Sequence, residues 1–198
     1  MTINDNLTAE DRILKDIEKN VLEFSKTSNK EMIYCSHFVG KGPKLYEAYE
    51  KHNVNSIEKL DEIDPNIYRL IKKNNLIEGN FFGDQMKNKG YNTIVPGEFF
   101  MKGWAQKHYM SLWEQVITRY CDSICFIDNF YSSEGCIEEF LMGIQSGKKM
   151  YHRKDFIEID PYKELTKIKE AIEWMNDLNV DITRIYDAYR RIDLFLLD

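Results

Sequence analysis

The hydrophobic residues of this chain recur with two spacings that alternate along the sequence. Stretches with apolar residues three and four positions apart, as in amphipathic helices, are separated by short continuous apolar runs. These runs cover residues 32–35, 92–95, 123–127 and 149–151. Strands that alternate with helices in this way are typical of a parallel sheet with right-handed crossovers. The pattern therefore predicts an α/β fold over residues 31–153, with three α/β/α layers and a mostly parallel, Rossmann-like sheet of four to five strands.

Two segments outside this core also show helical spacing. Residues 1–30 predict one amphipathic helix, and residues 154–198 carry two apolar stripes that predict two further helices. Neither segment has the Gly, Ser and Pro content of a linker. We therefore predict one domain over 1–198, with a helical extension at each end that packs on the core or on a partner subunit.

The segment between the first two predicted strands, residues 54–90, has a less regular pattern. Its helical patches are interrupted by Pro65 and by Gly79 and Gly83. Proline and glycine weaken the interior of a helix. This pattern predicts an irregular or inserted helical segment.

Composition and charge narrow the class of protein. The 198 residues are 43% hydrophobic and 30% charged, with a net charge of −6, which is typical of a globular protein and unlike a disordered one. The negative charge opposes nonspecific binding to polymeric nucleic acid and to anionic membranes. No apolar stretch is long enough to span a membrane, and the first residues are polar, unlike a signal peptide. We expect a cytoplasmic protein that binds a small molecule.

The four cysteines are too sparse for a disulfide scaffold. Cys121 and Cys125 have a spacing seen in metal sites, but no second Cys or His pair accompanies them. We therefore predict no metal site, and we expect the cysteines to behave as small buried hydrophobic residues.

Three loops follow the predicted strands, and in a parallel sheet these loops meet at one edge, where ligands bind. They are residues 36–42, 96–104 and 128–135. In the third loop, Ser132, Ser133 and Gly135 precede a helix whose free amide groups favour an anion, although a serine there is also an ordinary N-cap. Periodicity alone places Glu139 opposite the apolar stripe of that helix, which indicates a solvated acid.

Three motifs in order resemble the nucleoside 2-deoxyribosyltransferase superfamily, which includes nucleoside 5′-monophosphate N-glycosidases. The first strand ends in an aromatic residue at 33–34, and Cys-Asp introduces the third strand at 121–126. Residues 133–139 match the motif Ser/Asp-x-Gly-x-x-x-Glu, and Gly143 follows one turn later. The resemblance covers residues 32–151 and implies cleavage of an N-glycosidic bond without a cofactor.

The resemblance implies a role for three catalytic residues. Glu139 would attack the anomeric carbon as nucleophile, since a carboxylate stabilises an oxocarbenium-like transition state. Glu114 would protonate the leaving base, which requires a raised pKa of the kind that burial beside Trp113 would produce. Tyr34 would orient Glu139. The predicted substrate-binding residues are Ser36, His37, Phe38, Trp104, Tyr109, Asp128, Ser132, Ser133 and Gly135, with the three aromatic ones as candidates for stacking on a base.

Several alternatives stay open at this point. The serine at 133 resembles the monophosphate hydrolases, whereas the transferases tend to carry aspartate there. The hydrolases also have an arginine in the first loop, which this chain lacks, so Lys41 or His37 would have to replace it. A nucleosidase that cleaves NAD and a nucleotide-binding sensor without turnover are the other candidates. The resemblance also implies a homodimer or larger homo-oligomer, because related enzymes complete the sugar pocket from a neighbouring subunit.

Overall fold

The structure is a computed structural model, and it describes residues 15, 19, 30–99 and 101–197. The helix predicted over residues 1–30 lies outside the described residues, apart from three positions that do not test it.

The described residues form one parallel sheet in the order β2-β1-β3-β4. This confirms the predicted α/β fold, with four strands. Their bounds are Met32–Ser36 for β1, Asn92–Ile94 for β2, Ser123–Phe126 for β3 and Lys149–His152 for β4. All residues of β1 and β3 are buried, as expected for central strands covered on both faces. Asp122 fixes the start of β1, because its Oδ2 accepts a hydrogen bond of 2.7 Å from the Met32 amide.

The helices follow the strands as predicted, and the sheet lies between two layers of them. They are α1 (Pro43–His52), α2 (Ile57–Ile63), α3 (Pro65–Asn88), α4 (Gln106–Tyr120), α5 (Glu134–Gln145), α6 (Pro161–Asp177) and α7 (Thr183–Leu197). Helix α3 contacts β1 and β2, and it faces His37 at the end of β1. Tyr34 and Ser36 point to the opposite face, towards α4 and α5, since successive side chains of a strand alternate between faces.

Residues 54–90 are helical, as one of the two predicted alternatives has it, but the irregular alternative is wrong. This segment forms α2 and then α3, a continuous helix of 24 residues. Pro65 is the first residue of α3, where proline is favoured because that position has no hydrogen bond to lose. The preceding Asp64 caps the helix by accepting a hydrogen bond from the Asn66 amide. Pro65 therefore starts the helix rather than interrupting it.

The two glycines inside α3 allow it to lie close to the sheet. A Cβ atom at Gly79 would lie 2.2 Å from the His37 ring, and one at Gly83 would lie 2.4 Å from Val95. Both distances are far below van der Waals contact. The glycines are therefore required for packing, and this close approach outweighs their low helical propensity.

The C-terminal stripes form α6 and α7, as predicted. Ile168, Met175, Ile185 and Ile192 are buried, and α7 packs on both α5 and α6. None of the helices in the described part of the chain is both long enough and apolar enough to cross a membrane.

The strand order places a topological switch point between β1 and β3. The chain leaves β1 for β2 on one side, and then returns across β1 to β3 on the other. In open α/β sheets, ligands bind at such a point, at the edge formed by the carboxyl ends of the two strands. Ser36 and Phe126 pair at this edge.

Candidate functional site

A buried carboxylate lies at the switch point, held by two hydroxyl groups of β1. Tyr34 Oη donates a hydrogen bond of 2.6 Å to Glu139 Oε1, and Ser36 Oγ donates one of 2.6 Å to Oε2. Tyr34 and Ser36 are two positions apart, so their side chains share one face of the strand. We call Tyr34, Ser36 and Glu139 the carboxylate cluster. The contact between Tyr34 and Glu139 is the one that the resemblance implies.

Glu139 is 5% exposed, so its interpretation as a solvated acid from helical periodicity is wrong. Helix α5 is surrounded by the sheet, α4 and α7, and it is therefore buried over a wider arc than its apolar stripe. The buried arc includes Cys136 and Gly143 as well as Ile137 and Phe140. A Cβ atom at Gly143 would lie 2.7 Å from a methionine sulfur of β4, so the small residue lets α5 lie against the sheet.

Burial dominates the electrostatics of the cluster. The pKa of Glu139 is raised from 4.5 to about 7, because removal from water outweighs the hydrogen bonds from Ser36 and Tyr34, which lower the pKa. Burial, together with the neighbouring Glu139 carboxylate, raises the pKa of Tyr34 well above its ordinary value. Tyr34 therefore stays a neutral donor, while Glu139 exchanges its proton near neutral pH.

An aromatic wall supports the cluster from α4. The Tyr34 ring packs edge to face on Trp113, with ring centroids 5.8 Å apart. The Phe99 ring also packs edge to face on Trp113, with centroids 5.3 Å apart. Trp113 is buried. This apolar wall excludes water from one side of the cluster, which explains why burial is the largest influence on the Glu139 carboxyl.

Glu114 does not join the cluster. Its side chain is exposed, so the burial beside Trp113 that its acid role requires is not found, and that part of the prediction is wrong. Burial raises the pKa of Glu138 of α5, and the nearby Glu114 carboxylate adds to this effect. Glu138 itself pairs with Arg191 of α7, with Oε2 and Nη1 3.3 Å apart, so the two adjacent glutamates of α5 face different surroundings.

The start of α5 lies beside the first loop. Ser133 is at the N-cap position, but its side chain makes no capping hydrogen bond, and Ser132 Oγ donates to the backbone carbonyl three residues earlier. Both serines are buried. Ser133 therefore takes the N-cap position, as in the ordinary interpretation, but without the side-chain hydrogen bond of a cap. Lys41 Nζ lies 3.0 Å from Glu134 Oε1. The space beside Gly135 is open. This end of the helix combines free amide groups, hydroxyls and a cation that is paired with a carboxylate.

Two predicted residues of the first loop are packed in the core. His37 Nδ1 lies 3.1 Å from the Cys35 carbonyl, and its Nε2 is buried without a partner. Burial lowers the pKa of His37, so a neutral ring is favoured and His37 is a poor replacement for an arginine. Phe38 is also buried, and a Cβ atom at Gly42 would lie 2.7 Å from its ring. Lys41 is the cation of this loop that remains partly exposed.

The remaining predicted residues lie in the other two loops and in the first turn of α4. Trp104 and Tyr109 pack edge to face on each other at 5.2 Å. Tyr109 Oη also accepts a hydrogen bond from the Met101 amide and donates one to its carbonyl, so it holds this loop in place. Asp128 is exposed after β3. None of these three contacts the carboxylate cluster through a described hydrogen bond or ring contact.

One residue of the site was missed at the sequence level. Cys136 is fully buried in the first turn of α5, three residues before Glu139 and three after Ser133, so all three lie along one side of the helix. The pKa of its thiol is raised to about 12, because burial and the Glu139 carboxylate outweigh the hydroxyls of Ser36 and Ser133, which lower the pKa. The motif could have indicated the burial of Cys136. Cysteine is apolar, whereas the first turn of a solvent-exposed helix favours polar residues.

The arrangement provides a desolvated carboxylate at the carboxyl edge of the sheet, with both oxygens oriented by hydroxyl donors. Such a carboxylate can act as a nucleophile, or it can stabilise a cationic centre electrostatically. Among the described side chains, no three His, Cys, Asp or Glu residues are grouped to hold a metal ion. Comparisons with protein-family models, with curated proteins and with solved structures found no match to this chain.

Proposed function

We propose that this protein cleaves the N-glycosidic bond of a nucleoside or nucleoside 5′-monophosphate through a covalent glycosyl intermediate on Glu139. The observation that carries this proposal is the carboxylate cluster itself. A buried glutamate with two hydroxyl donors at 2.6 Å lies at the switch point of the sheet. A carboxylate with so little solvent is costly to maintain, and such groups concentrate at functional sites. The order of the motifs along the chain also supports this chemistry.

The proposed reaction has two displacements. In the first, an oxygen of Glu139 forms a bond to C1′ of the sugar while the bond from C1′ to the base nitrogen breaks, and the base leaves with the electron pair and takes up a proton. In the second, a water oxygen attacks C1′, the bond to Glu139 breaks, and the carboxylate is regenerated with release of one proton. A second base in place of water gives transfer instead of hydrolysis.

The hydroxyl donors support the first displacement without blocking it. Each carboxylate oxygen has two lone pairs, and Tyr34 and Ser36 occupy one on each oxygen. They keep the carboxylate in one orientation, which reduces the entropy lost on reaching the transition state. The role of Glu114 as general acid stays a prediction, and Glu114→Gln tests it: base release should fall most for bases that leave poorly without a proton.

A 5′-phosphate would be bound at the start of α5. Free amide groups, the buried Ser133 hydroxyl and Lys41 provide donors there, whereas the net charge of −6 repels an anion at long range. We expect Ser133→Ala and Lys41→Ala to weaken the use of 5′-monophosphates more than the use of nucleosides. Equal losses for both substrate classes would contradict a phosphate role.

The experiment that tests this function is incubation with ribo- and deoxyribonucleosides, their 5′-monophosphates and NAD, followed by chromatography for free base. We expect base release from a nucleoside or nucleotide, its loss in Glu139→Gln, and nearly full activity in Glu138→Gln. The two variants are matched, since each replaces one carboxylate oxygen by an amide group, at adjacent glutamates. Loss in Glu138→Gln alone would show that the motif is misaligned by one residue. Release from NAD alone would favour an NAD nucleosidase.

A second candidate function is nucleotide binding without turnover. The exposure of Glu114 favours it, because the described residues then provide no second buried carboxylate beside Glu139. If the chromatography finds neither free base nor base exchange, calorimetric titration with the same compounds distinguishes a sensor, which still binds a nucleotide, from a protein of another function.

We further propose that the protein acts in the cytoplasm as a homodimer or larger homo-oligomer. The resemblance supports this, since related enzymes complete the sugar pocket from a neighbouring subunit. Light scattering tests the assembly, and a monomer at all concentrations would contradict it.

A further inference from the structure

We propose that Oε2 of Glu139 is the oxygen that attacks the sugar, and that Ser36 is a positioning residue that accelerates the second displacement. This assignment rests on the proposed function, because it gives the two hydroxyl donors separate roles in that reaction. Tyr34 donates to Oε1 and Ser36 donates to Oε2, each at 2.6 Å. Since the two distances are equal, the donors differ only in what surrounds them.

The two donors lie at different depths in the sheet. Ser36 is the last residue of β1 and Tyr34 lies two residues earlier, which places Tyr34 about 7 Å further from the carboxyl edge. The Tyr34 ring is also enclosed, because it packs on Trp113 and Trp113 packs on Phe99. Aromatic side chains therefore occupy the space on the Oε1 side. A sugar bound at the carboxyl edge approaches Oε2.

The surroundings of Ser36 also favour Oε2. Its hydroxyl interacts with Cys136 in the first turn of α5: burial and the Glu139 carboxylate raise the pKa of that thiol, and the Ser36 hydroxyl acts against them. The space beside Gly135 in the same turn is open. The 5′-phosphate position proposed above is at this turn as well. The sugar of such a nucleotide then lies between the start of α5 and Oε2.

The charge on Oε2 changes in opposite directions in the two displacements. In the first, the anionic Oε2 forms a bond to C1′ and becomes the bridging oxygen of an ester, while the base leaves with the electron pair of its bond and takes up a proton. In the second, a water oxygen bonds to C1′ and releases a proton to solvent, and the electron pair of the broken ester bond returns to Oε2. A hydrogen bond to an ionised oxygen is about twice as strong as one between neutral groups. The hydrogen bond from Ser36 therefore strengthens as the second displacement proceeds.

The two donors differ in what they contact in the intermediate. Oε1 becomes the carbonyl oxygen of the ester and still accepts a hydrogen bond from Tyr34. Ser36 loses most of its interaction with Oε2, and its hydroxyl then has the Cys136 thiol, which is a weak acceptor. Because this second partner is weak, the hydroxyl returns to Oε2 when the ester bond breaks.

The first experiment measures the two displacements separately for the wild type, Ser36→Ala and Tyr34→Phe, at about pH 9, above the pKa of Glu139. Rapid quenching of the first turnover with nucleosides and their 5′-monophosphates gives the first displacement, as free base. Trapping with the 2′-fluoro-arabinosyl forms of these compounds gives the second, as the return of the unmodified protein mass. We expect Ser36→Ala to slow the second displacement about tenfold more than the first, and Tyr34→Phe to slow both by similar factors.

The second experiment compares two substitutions of Cys136. Cys136→Ser gives the Ser36 hydroxyl a strong alternative partner and should slow the second displacement selectively. Cys136→Ala gives it none, and the ratio of the two rates should stay near that of the wild type. Both variants change the same buried side chain by one atom, and circular dichroism checks their fold. An equal ratio in the two variants would overturn the assignment of the thiol as the second partner of Ser36.

A purely structural role of Ser36 would slow both displacements alike. Equal losses in Ser36→Ala would therefore overturn this assignment and leave the proposed function in place. A selective loss of the second displacement in Tyr34→Phe would show that Oε1 attacks, and it would also overturn the assignment. If the wild type releases no base from any of these compounds, the proposed function fails and the assignment fails with it.

Discussion

Glu139→Gln should make the protein more stable at alkaline pH, even though it removes the proposed nucleophile. The raised pKa of Glu139 means that the folded chain binds its proton more tightly than the unfolded chain does. This contribution to stability is complete below about pH 4.5 and is lost as the pH rises through about 7. Above that pH, the folded protein holds a buried carboxylate that glutamine does not have.

The size of the effect follows from the pKa. A rise from 4.5 to about 7 corresponds to about 3 kcal/mol at 1.36 kcal/mol per unit. We therefore expect Glu139→Gln to exceed the wild type by up to about 3 kcal/mol in the free energy of unfolding at pH 8, and by little at pH 4. For a chain of this length, the melting temperature should rise by roughly 6–12 °C at pH 8.

Urea unfolding of both proteins at several pH values measures this difference, because all other titrating groups are shared. Glu114→Gln is the matched control, since it changes an exposed glutamate of α4 and should give a nearly pH-independent difference. A Glu139→Gln variant that is no more stable than the wild type at pH 8 would refute the reasoning. An equal gain at pH 4 and pH 8 would also refute it, because ionisation would then not be its source.

Two further predictions concern Tyr34 in the carboxylate cluster and Gly79 in α3. Tyr34→Phe removes a hydrogen bond that lowers the pKa of Glu139, so that pKa should rise further, as measured by the infrared carboxyl band across a pH titration. An unchanged pKa would show that the contact is weak. Gly79→Ala places a Cβ atom 2.2 Å from His37 and should destabilise the protein by about 1–3 kcal/mol in urea unfolding. Gly135→Ala, with open space around it, should be nearly neutral.

The strands and most helices were predictable because each is a local pattern. The runs at 32–35 and 123–127 are apolar throughout, as central strands require, and they form β1 and β3. Pro65 and Gly79 were misread for a physical reason. Pro65 is the first residue of α3, and Gly79 lies against His37. Helical propensity alone shows neither the start of a helix nor a contact with another element.

The candidate site was predictable only in part. The motif located Glu139 and Tyr34, but periodicity placed Glu139 in solvent, because the pattern of one helix does not show how many neighbours surround it. The exposure of Glu114 likewise depends on how α4 is rotated against α5. The hydrogen bond from Ser36 joins residues 103 positions apart, so only the folded chain brings this donor to the carboxylate.

The measurement that tests the central claim most directly is mass spectrometry of the protein after incubation with its substrate's 2′-fluoro-arabinosyl analogue, which slows breakdown of a glycosyl intermediate. We predict one added fluoroglycosyl group, located on the peptide that contains Glu139 and assigned to that residue by fragmentation. Glu139→Gln should show no such group, and Glu138→Gln should still carry it. A glycosyl group on any other residue, or base release that persists in Glu139→Gln, would contradict the account.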